Sequence, residues 1–163
     1  MTEEIIYKQI ANKDLKKYGS LMVPMIYEEL SREENIETEY LALGAWIGDK
    51  PIAAIVADPE ERGDLNILSV WTDQEYRRQG VATDLFSKLL QVASGLYQWD
   101  ELEYGDDIEV KTMYCLENDL RRAFDLWLES VGFSEFNIMR DAEGDRPETC
   151  GATAELHLFR YGL

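Results

Sequence analysis

The chain has 163 residues, 16 Lys plus Arg against 33 Asp plus Glu, a formal net charge of −17, and 45% hydrophobic residues. That length suits one domain over residues 1–163, and that apolar content can fill a core, which excludes a disordered chain. The negative balance repels phosphate backbones and anionic lipid heads, so general nucleic-acid and membrane-surface binding are excluded and cationic partners are favoured.

The start, Met1-Thr2-Glu3-Glu4, lacks the basic character of a targeting peptide. The longest apolar stretches, residues 41–47 and 52–57, are strand-sized and too short to span a bilayer. Cys115 and Cys150 have neither metal spacing nor disulfide density, so the expectation is a reduced, cytoplasmic protein.

Residues 4–10 read as a first strand, followed by a helical stretch over residues 14–30 in two pieces. Pro24 belongs in a helix's first turn, which puts the break near Val23. Residues 40–47 and 51–58 form two apolar runs joined by Gly48-Asp49-Lys50, a hairpin signal. Residues 64–71 make a third apolar run. Residues 81–93 then place Ala82, Leu85, Phe86, Leu89, Leu90 and Ala93 at helical spacing.

Another strand is predicted over residues 107–114. A second amphipathic helix follows, starting at Asn118 or Asp119, carrying Leu120, Ala123, Phe124, Trp127, Leu128 and Val131, and stopping at Gly132. Residues 133–139 and 154–161 read as closing strands around a polar loop. This order predicts an α/β fold with a mixed central sheet flanked by helices.

The chemistry gathers at Arg77-Arg78-Gln79-Gly80-Val81-Ala82, between a buried strand and a helix. The first backbone N–H groups of a helix have no internal acceptors, and its dipole adds partial positive charge, so this turn suits a phosphate. Gly80 admits close approach, Ala82 keeps the turn slim, and two arginines add local positive charge. Taken without its flanks, the same stretch reads as an ordinary loop with a turn glycine and two solvated arginines.

At these residues the sequence resembles the GNAT superfamily of acyl-CoA-dependent N-acyltransferases. The family fingerprint is Gln or Arg, two free positions, Gly, one free position, then Gly or Ala, and residues 77–82 fit it. The helix ending in Val131-Gly132-Phe133 and the order of elements extend the resemblance over nearly the whole chain.

The resemblance implies a sheet splayed beside the strand at residues 64–71 and a cosubstrate, acetyl-CoA. Arg77, Arg78, Gln79, Gly80, Val81 and Ala82 would wrap its diphosphate, with Thr83 adding a hydroxyl. The backbone at Leu68 and Val70 would pair with the pantetheine arm, and an N–H near Val70 would hold the oxyanion. Asn118 resembles the asparagine that the family places near pantetheine, although it stands about one helical turn farther from Gly132 than is usual. The implied acceptor is a primary amine, and edge pairing of the late strands into a homodimer is a common family arrangement.

One family feature is missing. The position four before Gly132, where many members carry an acidic tyrosine, is Leu128, and alignment from Asn118 instead reaches Asp125. Tyr114 is the substitute catalytic acid and Asp64 the candidate base acting through water. Both also read structurally, Tyr114 as a core or rim residue and Asp64 as a turn residue. His157, the single histidine, reads as structural or exposed, and no metal site is expected.

Acidic stretches in residues 28–39, 100–109 and 141–148 suggest a cationic acceptor such as a polyamine, an aminoglycoside or a basic peptide, or else merely a solvated surface. The alternative function is a non-catalytic acyl-CoA-binding or interaction module that has lost its acid.

Overall fold

The computed structural model describes residues 4–32, 39–60, 64–99, 107–114, 118–139 and 151–159. Among these residues, seven strands form one sheet: β1 (Ile5–Gln9), β2 (Leu41–Ile47), β3 (Lys50–Pro59), β4 (Leu65–Thr72), β5 (Asp107–Tyr114), β6 (Ser134–Met139) and β7 (Gly151–Phe159). Three α-helices accompany them: α1 (Pro24–Ser31), α2 (Val81–Leu96) and α3 (Asn118–Ser130). The spatial order is β1-β2-β3-β4-β5-β7-β6, and the β4–β5 pair alone among these neighbours runs parallel.

The hairpin turn is shorter than expected. Lys50 already belongs to β3, which leaves Gly48 and Asp49 as a two-residue link with Gly48 at φ +58°. β2 and β3 read as continuous apolar runs because both their faces are covered. One face places Leu43, Ile55 and Ala57 under Leu85 and Leu89 of α2. The other places Ala42, Ala54 and Val56 against Leu15, Leu21 and Leu30.

The first helical piece is a 3₁₀ segment, Asn12–Leu21, interrupted at Tyr18 (φ −108°, ψ 26°). Only Leu15 and Leu21 of it are buried, too sparse a stripe to hold an α-helix against the sheet. Val23 then caps α1 with Pro24 in its first turn, where a missing N–H is harmless. The Val23 N–H donates to Ser69 Oγ at 2.9 Å, which ties the start of α1 to β4.

α3 ends in a Schellman motif. The Phe133 N–H donates to the Leu128 carbonyl (2.9 Å), the Gly132 N–H donates to that of Glu129 (3.1 Å), and Gly132 takes φ +105°. The insertion of β7 between β5 and β6 leaves β6 and β1 as the sheet's edges.

Candidate active site

The sheet opens where β4 leaves β5. Leu65, Asn66 and Ile67 pair with Val110, Lys111 and Thr112, and the pairing stops there although β4 continues to Thr72 and β5 to Tyr114. A β-bulge lies at the same point: Val56 faces Ser69 and Ala57 faces Ile67, so Leu68 is the extra residue. A bulge bends its strand and increases its twist, which turns β4 away from β5. The Thr112 hydroxyl donates to the Ile67 carbonyl at 2.9 Å, so a side chain completes the last rung.

Beyond that rung lies a cleft of about 640 Å³. Its walls are β4 from Ile67 to Thr72, the end of β5, the start of α1 and one face of α3. Leu68 and Val70 line it, on a strand edge that β5 no longer covers.

The mouth is the loop between Thr72 and α2. Arg78 (φ +64°) and Gly80 (φ +79°) are both left-handed, and Gly80 caps α2. Among the described residues no backbone carbonyl accepts from the amides of residues 78–83, and the first bond into α2 runs from the Asp84 N–H to the Gly80 carbonyl (2.9 Å). These amides belong to a helix start that favours an anion. A Cβ placed on Gly80 would meet nothing within 4 Å, so only its left-handed backbone and the ligand's approach ask for glycine there.

Arg78, Gly80, Val81, Ala82 and Thr83 line the cleft. Arg77 lines it too, but its guanidinium is committed: Nε donates to the Thr72 carbonyl (2.8 Å), and the group lies over the Trp71 ring at 5.0 Å. Gln79 turns back to donate to the Glu75 carbonyl (3.4 Å) and is not among the described lining residues.

The opposite wall is aromatic. Phe124 stacks on Trp127 with centroids 5.7 Å apart and 11° between planes, and Tyr114 meets Phe124 edge-on at 4.8 Å. Tyr114 is buried at the rim, and its hydroxyl donates to an Asp125 carboxylate oxygen. Burial first, and the bond to Asp125 second, push the phenol well above the ordinary tyrosine range. Leu128 is buried in the core beneath α3, so a tyrosine there would not reach this cleft by the same path.

The structure does not bring Asp64 to the site. It precedes β4 at the paired end, where its Oδ1 accepts from the Glu109 N–H at 3.0 Å, and it is not among the described lining residues. Asn118 begins α3, and its side chain lies outside the described residues. Much of the acidic stretches, and both cysteines, lie there as well.

His157 is less solitary than its sequence context implies. Its Nδ1 lies 2.5 Å from Asp107 Oδ2, and its Nε2 lies 3.4 Å from carboxylate oxygens of Glu135 and Glu155. The bond to Asp107 raises the imidazole to about 9 against the pull of burial, with Glu155 and Glu135 adding to it. This cluster sits on β5, β6 and β7, with none of its members lining the cleft among the described residues.

Sequence reasoning missed Asp125 as the tyrosine's partner and Trp127 as a cleft residue. Trp127 carries a readable signal, since it follows Ala123 and Phe124 at helical spacing and all three line the cleft. The same spacing also includes the core residue Leu128, so periodicity alone does not divide the two.

These residues fit a coenzyme that carries a diphosphate and an extended amide arm: free amides and an arginine at the mouth, and an uncovered strand edge behind them. Residues 8–103 match the sequence model of the acetyltransferase (GNAT) family. No relative among curated proteins matches the chain.

Solved structures share the fold. The ribosomal-protein-S18-alanine N-acetyltransferase of Escherichia coli superposes with a TM-score of 0.66 at 17% identity, covering 96% of this chain and 95% of that one. A GNAT family acetyltransferase of Elizabethkingia anophelis with acetyl-CoA bound gives 0.61 at 13%, covering 96% and 100%. The diaminobutyrate acetyltransferase of Paenibacillus lautus, in complex with L-2,4-diaminobutyric acid and coenzyme A, gives 0.58 at 18%, covering 94% and 95%.

Proposed function

The chain belongs to the GNAT acetyltransferase family, and on that premise we propose that it transfers an acetyl group from acetyl-CoA to a primary amine by direct attack. The observation that carries this is the row of amides over residues 78–83, without backbone acceptors among the described residues, at the mouth of the cleft where β4 and β5 part. Acetyl-CoA supplies an activated thioester carbonyl and the diphosphate by which it is held.

On this reading the amides of residues 78–82 and the Thr83 hydroxyl hold the diphosphate, and Arg78 adds charge. Arg77 supports the loop from below through the Thr72 carbonyl. Leu68 and Val70 offer backbone groups to the pantetheine arm, as a new strand would pair. A backbone N–H near Val70 holds the charge that develops on the carbonyl oxygen, with water kept out by the apolar walls. Asn118 is carried as a further pantetheine contact on family resemblance.

Direct attack needs a neutral amine and a proton for the departing thiolate. Tyr114 is the group that handles the proton. Its own proton is directed at Asp125, so its oxygen can take a proton from the incoming ammonium, leaving the neutral amine that attacks, while the phenolic proton moves toward Asp125. Reversal of that path returns a proton to the sulfur. Asp64 has no part in this reading, because its carboxylate serves the β4–β5 junction.

The cationic-acceptor reading is supported by the acidic stretches of the sequence. The described cleft wall carries Arg77 and Arg78 as its charged side chains, so any preference for cations comes from outside that wall. Thiol release from acetyl-CoA against amines of graded charge, at low and high salt, tests both levels. Amine-dependent release establishes the transfer. Coenzyme binding without release across the panel supports the non-catalytic module instead, and equal turnover of neutral and cationic amines removes the charge preference.

A further inference from the structure

We propose that Trp127 is a positioning residue, which fixes the Thr83 hydroxyl as a hydrogen-bond donor toward the diphosphate of the coenzyme. This rests on the coenzyme reading above. The indole Nε1–H of Trp127, in α3, donates to Thr83 Oγ1, in the first turn of α2, at 3.1 Å. The two residues are 44 positions apart and both line the cleft, so the bond spans its mouth between two helices.

The direction of this bond is settled by chemistry. An indole N–H only donates, whereas a threonine hydroxyl has one proton to give and lone pairs to receive. Thr83 therefore accepts from Trp127, and its single proton points elsewhere. In a helix the usual taker is a carbonyl three or four residues back. Among the described residues Thr83 makes no such bond. The proton is left for a ligand at a site that already favours an anion, where a charge-assisted bond is worth more than a neutral one.

The indole is held in place for this task. Phe124 stacks on one face at 5.7 Å, and Phe86 meets the ring edge-on at 5.9 Å and 76°. These contacts fix the ring plane and with it the line of the N–H. An isolated bond near solvent adds little to folding, whereas a preoriented hydroxyl avoids an ordering cost each time the ligand binds.

Trp127→Phe keeps an aromatic ring between Phe124 and Phe86 and removes only the donor. Binding of coenzyme A is measured by titration calorimetry for the wild type, W127F, T83V, the double variant, and a matched pair on a Thr83→Ser background. We expect W127F to weaken binding about fivefold and T83V at least as much, with the double variant no weaker than T83V alone. T83S keeps the hydroxyl, so W127F retains its effect there. In turnover, W127F raises KM for acetyl-CoA with kcat unchanged, while the melting temperature of the ligand-free protein stays within about 2 °C.

Independent, additive losses overturn the proposal, as does a W127F effect that persists in full on T83V. Unchanged coenzyme affinity in W127F overturns it as well. A wild-type protein that binds no coenzyme A overturns the site itself and the positioning role with it, and that failure is distinguished by the absence of any binding heat before a variant is made.

Discussion

At the mouth of the cleft a ligand meets backbone: the amides of residues 78–83, displayed by two left-handed residues and a helix start. Along the β5–α3 wall it meets side chains instead, with Tyr114 on Asp125 and an aromatic stack around Trp127. The first region works through groups that every residue carries, so its sequence need only permit a shape. The second works through particular atoms brought together from separate elements. Substitution at the mouth, or at Trp127, which reaches from the wall to Thr83, should therefore act on binding, and substitution at Tyr114 or Asp125 on turnover.

The largest effect is expected from Gly80→Val. A β-branched residue at φ +79° strains the loop and stands where the ligand approaches, although the protein itself leaves the space open. Loss of about three charge-assisted bonds predicts roughly a 10³-fold fall in acetyl-CoA affinity, measured by calorimetry, with the circular dichroism spectrum retained. Affinity within tenfold of the wild type would break the assignment of the mouth to backbone recognition.

Next comes Tyr114→Phe, which keeps the ring against Phe124 and removes the hydroxyl. A fall of about 10²-fold in kcat with unchanged coenzyme affinity is expected from steady-state kinetics and titration. An unchanged kcat would remove Tyr114 from proton handling. Asp125→Asn leaves a carbonyl acceptor for the phenol but no charge to draw its proton, so a smaller fall of about tenfold in kcat is predicted. Equal losses from both changes in kcat, with no further loss in the double variant, would show the pair acting as one unit.

The smallest effect lies away from both walls. His157 has its proton held up to about 9 by Asp107, above the ordinary 6.5. A histidine raised on folding contributes stability fully below about 6.5, and that contribution disappears as pH rises through about 9. His157→Gln should therefore lower the melting temperature by a few degrees near pH 6, about 2–4 °C for a chain of this size, and by nothing near pH 10. Activity at constant folded fraction should not change, since the cluster does not line the cleft among the described residues. Loss of activity without loss of stability would join this face to the site.

Much of the fold was legible in residue order. Pro24 placed the start of α1, the even apolar spacing from Val81 placed α2, and Gly132 placed the end of α3, each because a single residue type answers a local backbone need. The first helical piece was legible only as helical, because Leu15 and Leu21 do not separate a 3₁₀ segment from an α-helix. The loop at residues 77–82 was legible for the same local reason, with one refinement: Arg77 lines the cleft with its Nε committed to the Thr72 carbonyl, and Gln79 turns back to Glu75.

The β5–α3 wall of the cleft was not legible in that way. Tyr114 could be named, since it ends a strand beside the splay, but Asp125 is its partner only because α3 packs against the end of β5. Asp64 fitted a family position in sequence, yet the register of β4 with β5 gives its carboxylate to the Glu109 amide. The bulge at Leu68 and the parting of the strands beyond Ile67 depend on how three strands pair, which no single run of residues records.

What the sequence alone determined was therefore the order of elements and the turn that opens α2, because helix starts, turns and left-handed positions are set within a few neighbouring residues. Only the tertiary structure decided at which rung β4 and β5 part, that Tyr114 meets Asp125 and that Trp127 donates to Thr83. Those depend on contacts between residues far apart in the chain, and side-chain chemistry at such contacts follows from packing, not from spacing.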